Sequence, residues 1–107
     1  MKIINKTEFY KLPSGTLYND FTPYDFMGLK IKLETLENDN YEPIDFMYQE
    51  IIGNVEQKCE DVLSEKFKID YNEPDRDGMY EEDQMFAIYD QKDVKMLIHK
   101  LQSLILK

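Results

Sequence analysis

The sequence predicts an α+β fold, an antiparallel sheet of four to five short strands with helices packed on one face and a C-terminal amphipathic helix. Three observations carry that expectation. Leu29, Ile31 and Leu33 alternate with Lys30, Lys32 and Glu34, and Phe67, Ile69 and Tyr71 alternate with Lys66, Lys68 and Asp70, the period-2 pattern of strands with one buried and one wet face. Val94, Leu97, Ile98, Leu101, Leu104 and Ile105 recur at helical spacing near the end of the chain. Only hairpin-length stretches separate the strands, which favours antiparallel pairing.

Taken in order, the elements begin with a short helix over Lys6–Lys11. Asn5 is its N-cap, with Glu8 three residues on, and Leu12-Pro13-Ser14-Gly15 stops it. Thr16–Phe21 reads as a strand closed by Thr22-Pro23, and the strand around Leu29–Leu33 runs to the polar tract Asn38-Asp39-Asn40. Ile44–Ile52 fits strand or helix; its aromatic and β-branched residues favour strand. Asn54 with Gln57 marks a helix start, with Val55, Cys59, Val62 and Leu63 on one stripe. The Phe67–Tyr71 strand follows, then an acidic loop, a buried strand over Met85–Tyr89, and the last helix. Asp90 caps that helix, and Asp93 sits where a negative charge suits the helix dipole. The expected core joins Leu29, Ile31, Leu33, Phe67, Ile69, Phe86, Ile88, Val94, Ile98 and Leu101, with the final helix covering the sheet.

With 107 residues the chain fits one domain, 1–107. Its 42% hydrophobic and 13% aromatic residues are too apolar for a disordered tail. No apolar run approaches the ~20 residues of a membrane span, and the N-terminus has no signal-peptide core. The one cysteine, Cys59, excludes an internal disulfide and a four-thiolate zinc site, and a reducing cytosol is the simplest location.

The net charge of −9 is uneven: residues 1–33 carry +2, residues 34–93 carry −14 and residues 94–107 carry +3. The acidic middle repels phosphate backbones and anionic membrane, because affinity for nucleic acid comes from Lys and Arg releasing counterions. Neither direct nucleic-acid binding nor membrane binding is expected.

A search for catalytic groups returns little. His99 has no second His or Cys at helical spacing, so it reads as a residue flanking the apolar stripe. Cys59 has only Lys58 nearby to lower its pKa and reads as a small buried hydrophobe. Ser14, Ser64 and Ser103 lack a recognisable base, and no phosphate-binding glycine motif occurs. No cofactor is implied. Aligned on Gly78, Glu73, Asp75, Asp77 and Glu81 fall at oxygen positions of a calcium loop. Gln84 in place of the final Glu and Arg76 inside the loop oppose that reading, and a charged turn at Asp77-Gly78, without metal, is expected. Residues 70–83 nevertheless concentrate seven acids against one Arg. Such density repels itself, which makes Asp70, Glu73, Asp75, Asp77, Glu81, Glu82 and Asp83 the candidate partner-binding surface.

The run Thr7 to Tyr18 (TEFYKLPSGTLY) and the segment Gly28–Lys32 resemble the opening of small proteins encoded in phages and prophages. Arg76–Tyr80 through Asp83–Tyr89, followed by a closing amphipathic helix, resembles their other shared block, and the blocks together cover about half the chain. The resemblance implies an accessory protein without an established activity, with Arg76, Asp77, Gly78, Asp83 and Gln84 as a shared polar block. The leading expectation is therefore a small acidic, non-enzymatic, anti-defence type of inhibitor that binds a host defence or nucleic-acid-handling protein with a basic surface. A second expectation is an oligomer that sequesters a nucleotide-like signal ligand through Lys30, Lys32, Lys66, Lys68, Tyr71, Arg76 and Tyr80; a homo-oligomer is compatible with either. A calcium-binding or enzymatic domain ranks last.

Overall fold

The computed structural model of the chain describes residues 1–22, 25–52, 55–56, 68–69 and 73–105. Its elements are β1 (Lys2–Asn5), α1 (Lys6–Tyr10), β2 (Leu17–Thr22), β3 (Asp25–Glu37), β4 (Pro43–Glu50), β5 (Val55–Glu56), β6 (Lys68–Ile69), β7 (Pro74–Arg76), β8 (Met85–Ile88) and α2 (Gln91–Ile105). Six strands form one antiparallel sheet in the order β1-β8-β2-β3-β4-β7, and β5 and β6 pair separately. The α+β class holds, with more strands than the alternation alone indicates.

Alternation along the strands sorts the side chains. Ile4 pairs with Phe86, and Tyr18 pairs with Ile88 and Lys30, placing these residues on one face. The short helix α1 covers that face with one side chain. Phe9 is fully buried, stacked on Phe86 at 3.9 Å between ring centroids and edge-on to Tyr18 and Phe46 at 4.8 Å each. Ile4, Phe9, Tyr18, Phe46 and Phe86 form the buried cluster, with Tyr10, Leu12, Tyr48 and Ile88 packed against it. Edge-to-face aromatic pairs add about 0.5–1.5 kcal/mol each beyond the area they bury. Five residues are too few for a helix to persist alone, so α1 depends on its cap and this contact. Asn5 Oδ1 accepts the Glu8 N–H at 2.9 Å, the cap that the sequence predicts.

Several expectations change. Lys2–Asn5 is a strand; its partner β8 lies eighty or more residues away, and no local pattern announces the pairing. Pro74–Arg76 pairs with Met47–Gln49 instead of belonging to the acidic loop. Val55–Glu56 is strand where a helix was expected; the rest of that expected helix, Cys59 included, and Phe67, Asp70 and Tyr71 lie outside the described residues.

The core also differs. Of the ten expected members Phe86 is fully buried, while Leu29, Ile31, Leu33, Ile88 and Val94 are half-buried. Ile98 and Leu101 are exposed, and no residue of α2 is buried, so α2 does not cover the sheet. The cause is geometric. Two residues separate β8 from α2, and a reciprocal cap fixes the first turn: Asp90 Oδ1 accepts the Asp93 N–H at 2.9 Å, and Asp93 Oδ2 accepts the Asp90 N–H at 3.1 Å. The Met1 ammonium joins it, 2.7 Å from Asp93 Oδ2.

Candidate functional site

The acidic segment is a held turn. Its base is the edge strand β7, where Tyr48 pairs with Asp75 and Met47 with Arg76. After Arg76 the backbone turns at Gly78, whose φ of 65° lies in the region that favours glycine. Asp45 is the anchor. Its side chain is 1% exposed, accepts Arg76 Nε–H at 2.5 Å on Oδ2, and accepts the Gly78 N–H at 3.1 Å and the Phe46 N–H at 2.9 Å. Burial alone would raise the Asp45 pKa, but Arg76 and the two backbone N–H groups outweigh it and hold the carboxyl below its usual range.

Arg76 also donates from Nη2 to the Tyr80 hydroxyl at 2.7 Å. Tyr80 has φ 52°, an uncommon conformation for a bulky residue, and this bond opposes its relaxation. On the other side, Gln84 Nε2 donates to the Asp77 carboxylate at 3.3 Å, and Lys6 Nζ on α1 donates to the Glu81 carbonyl at 3.2 Å. Asp77 is half-buried, and burial pushes its pKa up against the bonds from Gln84 and the Met79 N–H. The turn is therefore tied to β4, to α1 and across itself.

The tip carries the charge outward. Glu73, Glu81, Glu82 and Asp83 are exposed and Asp75 is half-buried, while Asp70 lies outside the described residues. Among the described residues Asp75, Glu81, Glu82 and Asp83 form no ion pair. Asp77 turns inward, toward Gln84.

The basic candidates do not gather in one place. Lys30 bonds Asp20 at 2.5 Å and lies 4.5 Å from the Tyr48 ring centroid. Burial opposes its charge, but Asp20 raises its pKa. Lys32 is 1% exposed and donates to Thr35 Oγ1 at 2.7 Å and to the Leu33 carbonyl at 3.1 Å; burial lowers its pKa. Arg76 and Tyr80 belong to the turn. Lys68 sits on β6, and Lys66 and Tyr71 lie outside the described residues.

Other chemistry is sparse. Among the described residues no three His, Cys, Asp or Glu side chains gather as a metal-ligand cluster. Glu73, Asp75, Asp77 and Glu81 do not converge, since Asp75 is fixed in a strand ladder and Asp77 faces Gln84. His99 is exposed on α2 beside a shallow depression of about 540 Å³ lined by Gln91, Lys92, Lys95 and Met96. Tyr18 Oη, Asp20 Oδ1 and Gln84 Oε1 are buried without a hydrogen-bond partner among the described residues. Burial and the nearby Asp20 charge drive the Tyr18 pKa far upward, so that hydroxyl stays neutral.

Sequence reasoning misses Asp45 and Lys6. A lone acid between Ile44 and Phe46 in an apolar strand is the signal for Asp45, since an unpaired buried carboxylate would be too costly to keep. Lys6 carries no such signal, because its partner is a backbone carbonyl from a distant loop. Together the fold and the turn define a small α+β protein in which Glu73, Glu81, Glu82 and Asp83 are exposed around an anchored turn. No protein-family model, curated protein sequence or solved structure matches the chain.

Proposed function

We propose that this chain is a small acidic, non-enzymatic binding protein of the phage accessory type, which inhibits a host defence or nucleic-acid-handling protein by presenting the 73–83 carboxylates to a basic surface. One observation carries the reading. The turn bearing Glu81, Glu82 and Asp83 is held from beneath by Asp45, Arg76 and Lys6, with Tyr80 at positive φ, while its carboxylates stay in water. A solubilising surface needs no fixed geometry. A recognition surface benefits from it, because a preorganised loop loses less entropy on binding. Opposite charge on the partner would steer association and select against wrong partners. The alternative of sequestering an anionic small ligand has weaker support, since Lys30, Lys32 and Arg76 have internal partners.

The test replaces Glu81→Gln, Glu82→Gln and Asp83→Asn together and uses parent and variant as baits in a bacterial lysate at low and moderate salt. A host protein retained by the parent should be lost or reduced with the variant. With that protein purified, association should slow at least tenfold and lose most of its salt dependence, as expected for screening over about 8–10 Å. Equal association rates for parent and variant would reduce the turn to a solubilising surface.

A further inference from the structure

The last helix leaves its apolar stripe open. No residue of α2 is buried, and Ile98, Leu101, Leu104 and Ile105 are between 48% and 81% exposed. A capped amphipathic helix ordinarily buries such a stripe, and contiguous exposed apolar area marks an interaction site. At 3.6 residues per turn, Val94, Leu97, Ile98, Leu101, Leu104 and Ile105 fall within an arc of about 120°. Lys95 lies just beyond one border of that arc and Lys100 just beyond the other, with Lys92 and His99 on the opposite side. The one acid of the helix, Asp93, has its charge taken up by the Met1 ammonium at 2.7 Å.

We propose that α2 lies in the plane of an anionic phospholipid surface, its aliphatic stripe among the acyl chains and its lysines at the headgroups. Charge selects that occupant. Residues 91–105 carry three lysines against one paired aspartate in a chain of net charge −9, so this helix is the part that an anionic surface attracts. Whole-chain charge, which sets the expectation against membrane binding, averages over this segregation. Lys95 and Lys100 stand where their stems can run along the borders of the stripe while the ammonium groups reach headgroup phosphates. The stripe itself is wholly aliphatic. Residues 91–105 contain no Phe, Tyr, Trp or Arg, the residues that anchor protein–protein interfaces, which favours acyl chains over a protein groove. The acidic turn joins β8 at its Met85 end, and α2 leaves beyond its Ile88 end. Four residues of strand at about 3.3 Å each hold the two apart by about 13 Å, more than the 8–10 Å over which salt screens exposed charge. Fifteen residues of helix reach about 22 Å, short of the ~30 Å hydrocarbon core, and no described helix is long and apolar enough to cross a membrane. The helix therefore lies along the surface. The inference goes beyond the acidic-turn reading and does not depend on it, since no residue of that turn lies on α2.

Co-sedimentation of the full chain with vesicles tests the inference, comparing phosphatidylcholine alone with an equal mixture of phosphatidylcholine and phosphatidylglycerol at low salt. The parent should bind the mixed vesicles at least about tenfold more tightly than the neutral ones, and raised salt should release it. Leu101→Asp with Leu104→Asp should abolish binding. Lys92→Gln with Lys95→Gln and Lys100→Gln should bring mixed-vesicle binding down to the neutral-vesicle level. Circular dichroism checks that each variant keeps the parent's sheet and helix. Because the chain has no Trp, Ile105→Trp gives a second reading: its emission should shift to the blue on mixed vesicles and be quenched by lipids brominated on their acyl chains. A parent that stays off the mixed vesicles overturns the inference, whether its stripe then proves to be covered by a second copy or by an acidic protein. So does equal binding to both kinds of vesicle, binding that the leucine or the lysine variant retains in full, or a Trp emission unchanged by vesicles. All of these variants keep Glu81, Glu82 and Asp83, so failure here leaves the acidic-turn reading untouched.

Discussion

The two helices reach opposite outcomes from opposite starting points. The five residues of α1 have a cap but too few turns to be stable alone, yet Phe9 ends fully buried against Tyr18, Phe46 and Phe86 of β2, β4 and β8. The fifteen residues of α2 have a strong apolar stripe and a reciprocal cap, yet none of them is buried. Amphipathic pattern and capping therefore decide whether a segment is helical. They do not decide what covers it. α1 is docked because β1 leads directly into it and β1 is hydrogen-bonded to β8, which lays the helix over Phe86. Leaving β8 at an edge-proximal position, α2 is directed outward by its first turn.

Breaking the docked helix should have the largest effect. Phe9→Ala removes the ring that contacts Tyr18, Phe46 and Phe86, and is expected to lower the unfolding free energy by about 3–5 kcal/mol in urea titration. A loss below about 1 kcal/mol would mean that α1 is as weakly held as α2.

The anchor of the acidic turn should come next. Asp45→Asn is expected to destabilise by about 1–3 kcal/mol at neutral pH, through loss of charge-assisted bonds to Arg76, Gly78 and Phe46. The effect has a pH signature. Folding depresses the Asp45 pKa, so its contribution is complete above the unfolded value of about 3.9 and vanishes as pH falls through the lower folded value. The parent should therefore lose stability in acid more steeply than Asp45→Asn. Asp77, whose pKa is raised, works in the other direction: its ionisation weakens the fold as pH rises, so Asp77→Asn should flatten that part of the profile. Parallel acid limbs for parent and Asp45→Asn would show that Asp45 is not the anchor.

The smallest effect is expected on the undocked helix. Ile98→Ala should change stability by less than about 0.5 kcal/mol, the range of surface substitutions. A loss of 2 kcal/mol or more would place α2 on its own sheet and erase the contrast between the helices.

Much of this comparison was legible beforehand. Alternation located the centre of β3, because strand period is a local property, and Thr16–Phe21 and Met85–Tyr89 read as strands where β2 and β8 form. The Asn5 and Asp90 caps were readable from residue type and spacing, and both are made. The Ile44–Ile52 segment fitted two periods, and its aromatic and β-branched content favoured the strand that forms over Pro43–Glu50. Non-local pairings were not readable. β1 escaped notice because Lys2–Asn5 has only two apolar residues and a remote partner, and Pro74–Arg76 escaped because proline and two charges look like a turn. For the site, the density of carboxylates was visible; their anchoring was not, since Asp45 is 31 residues from Arg76.

Composition and short-range order alone therefore determined the α+β class, the starts of α1 and α2 and an acidic segment between two positive ends. Tertiary structure decided which apolar residues are covered and which carboxylates are anchored. The physical reason is range. Periodicity and capping are set by residues within one or two turns of each other, whereas burial is set by register between strands far apart in the chain. A stripe of six apolar side chains on α2 reads the same whether the chain buries it or presents it to another molecule.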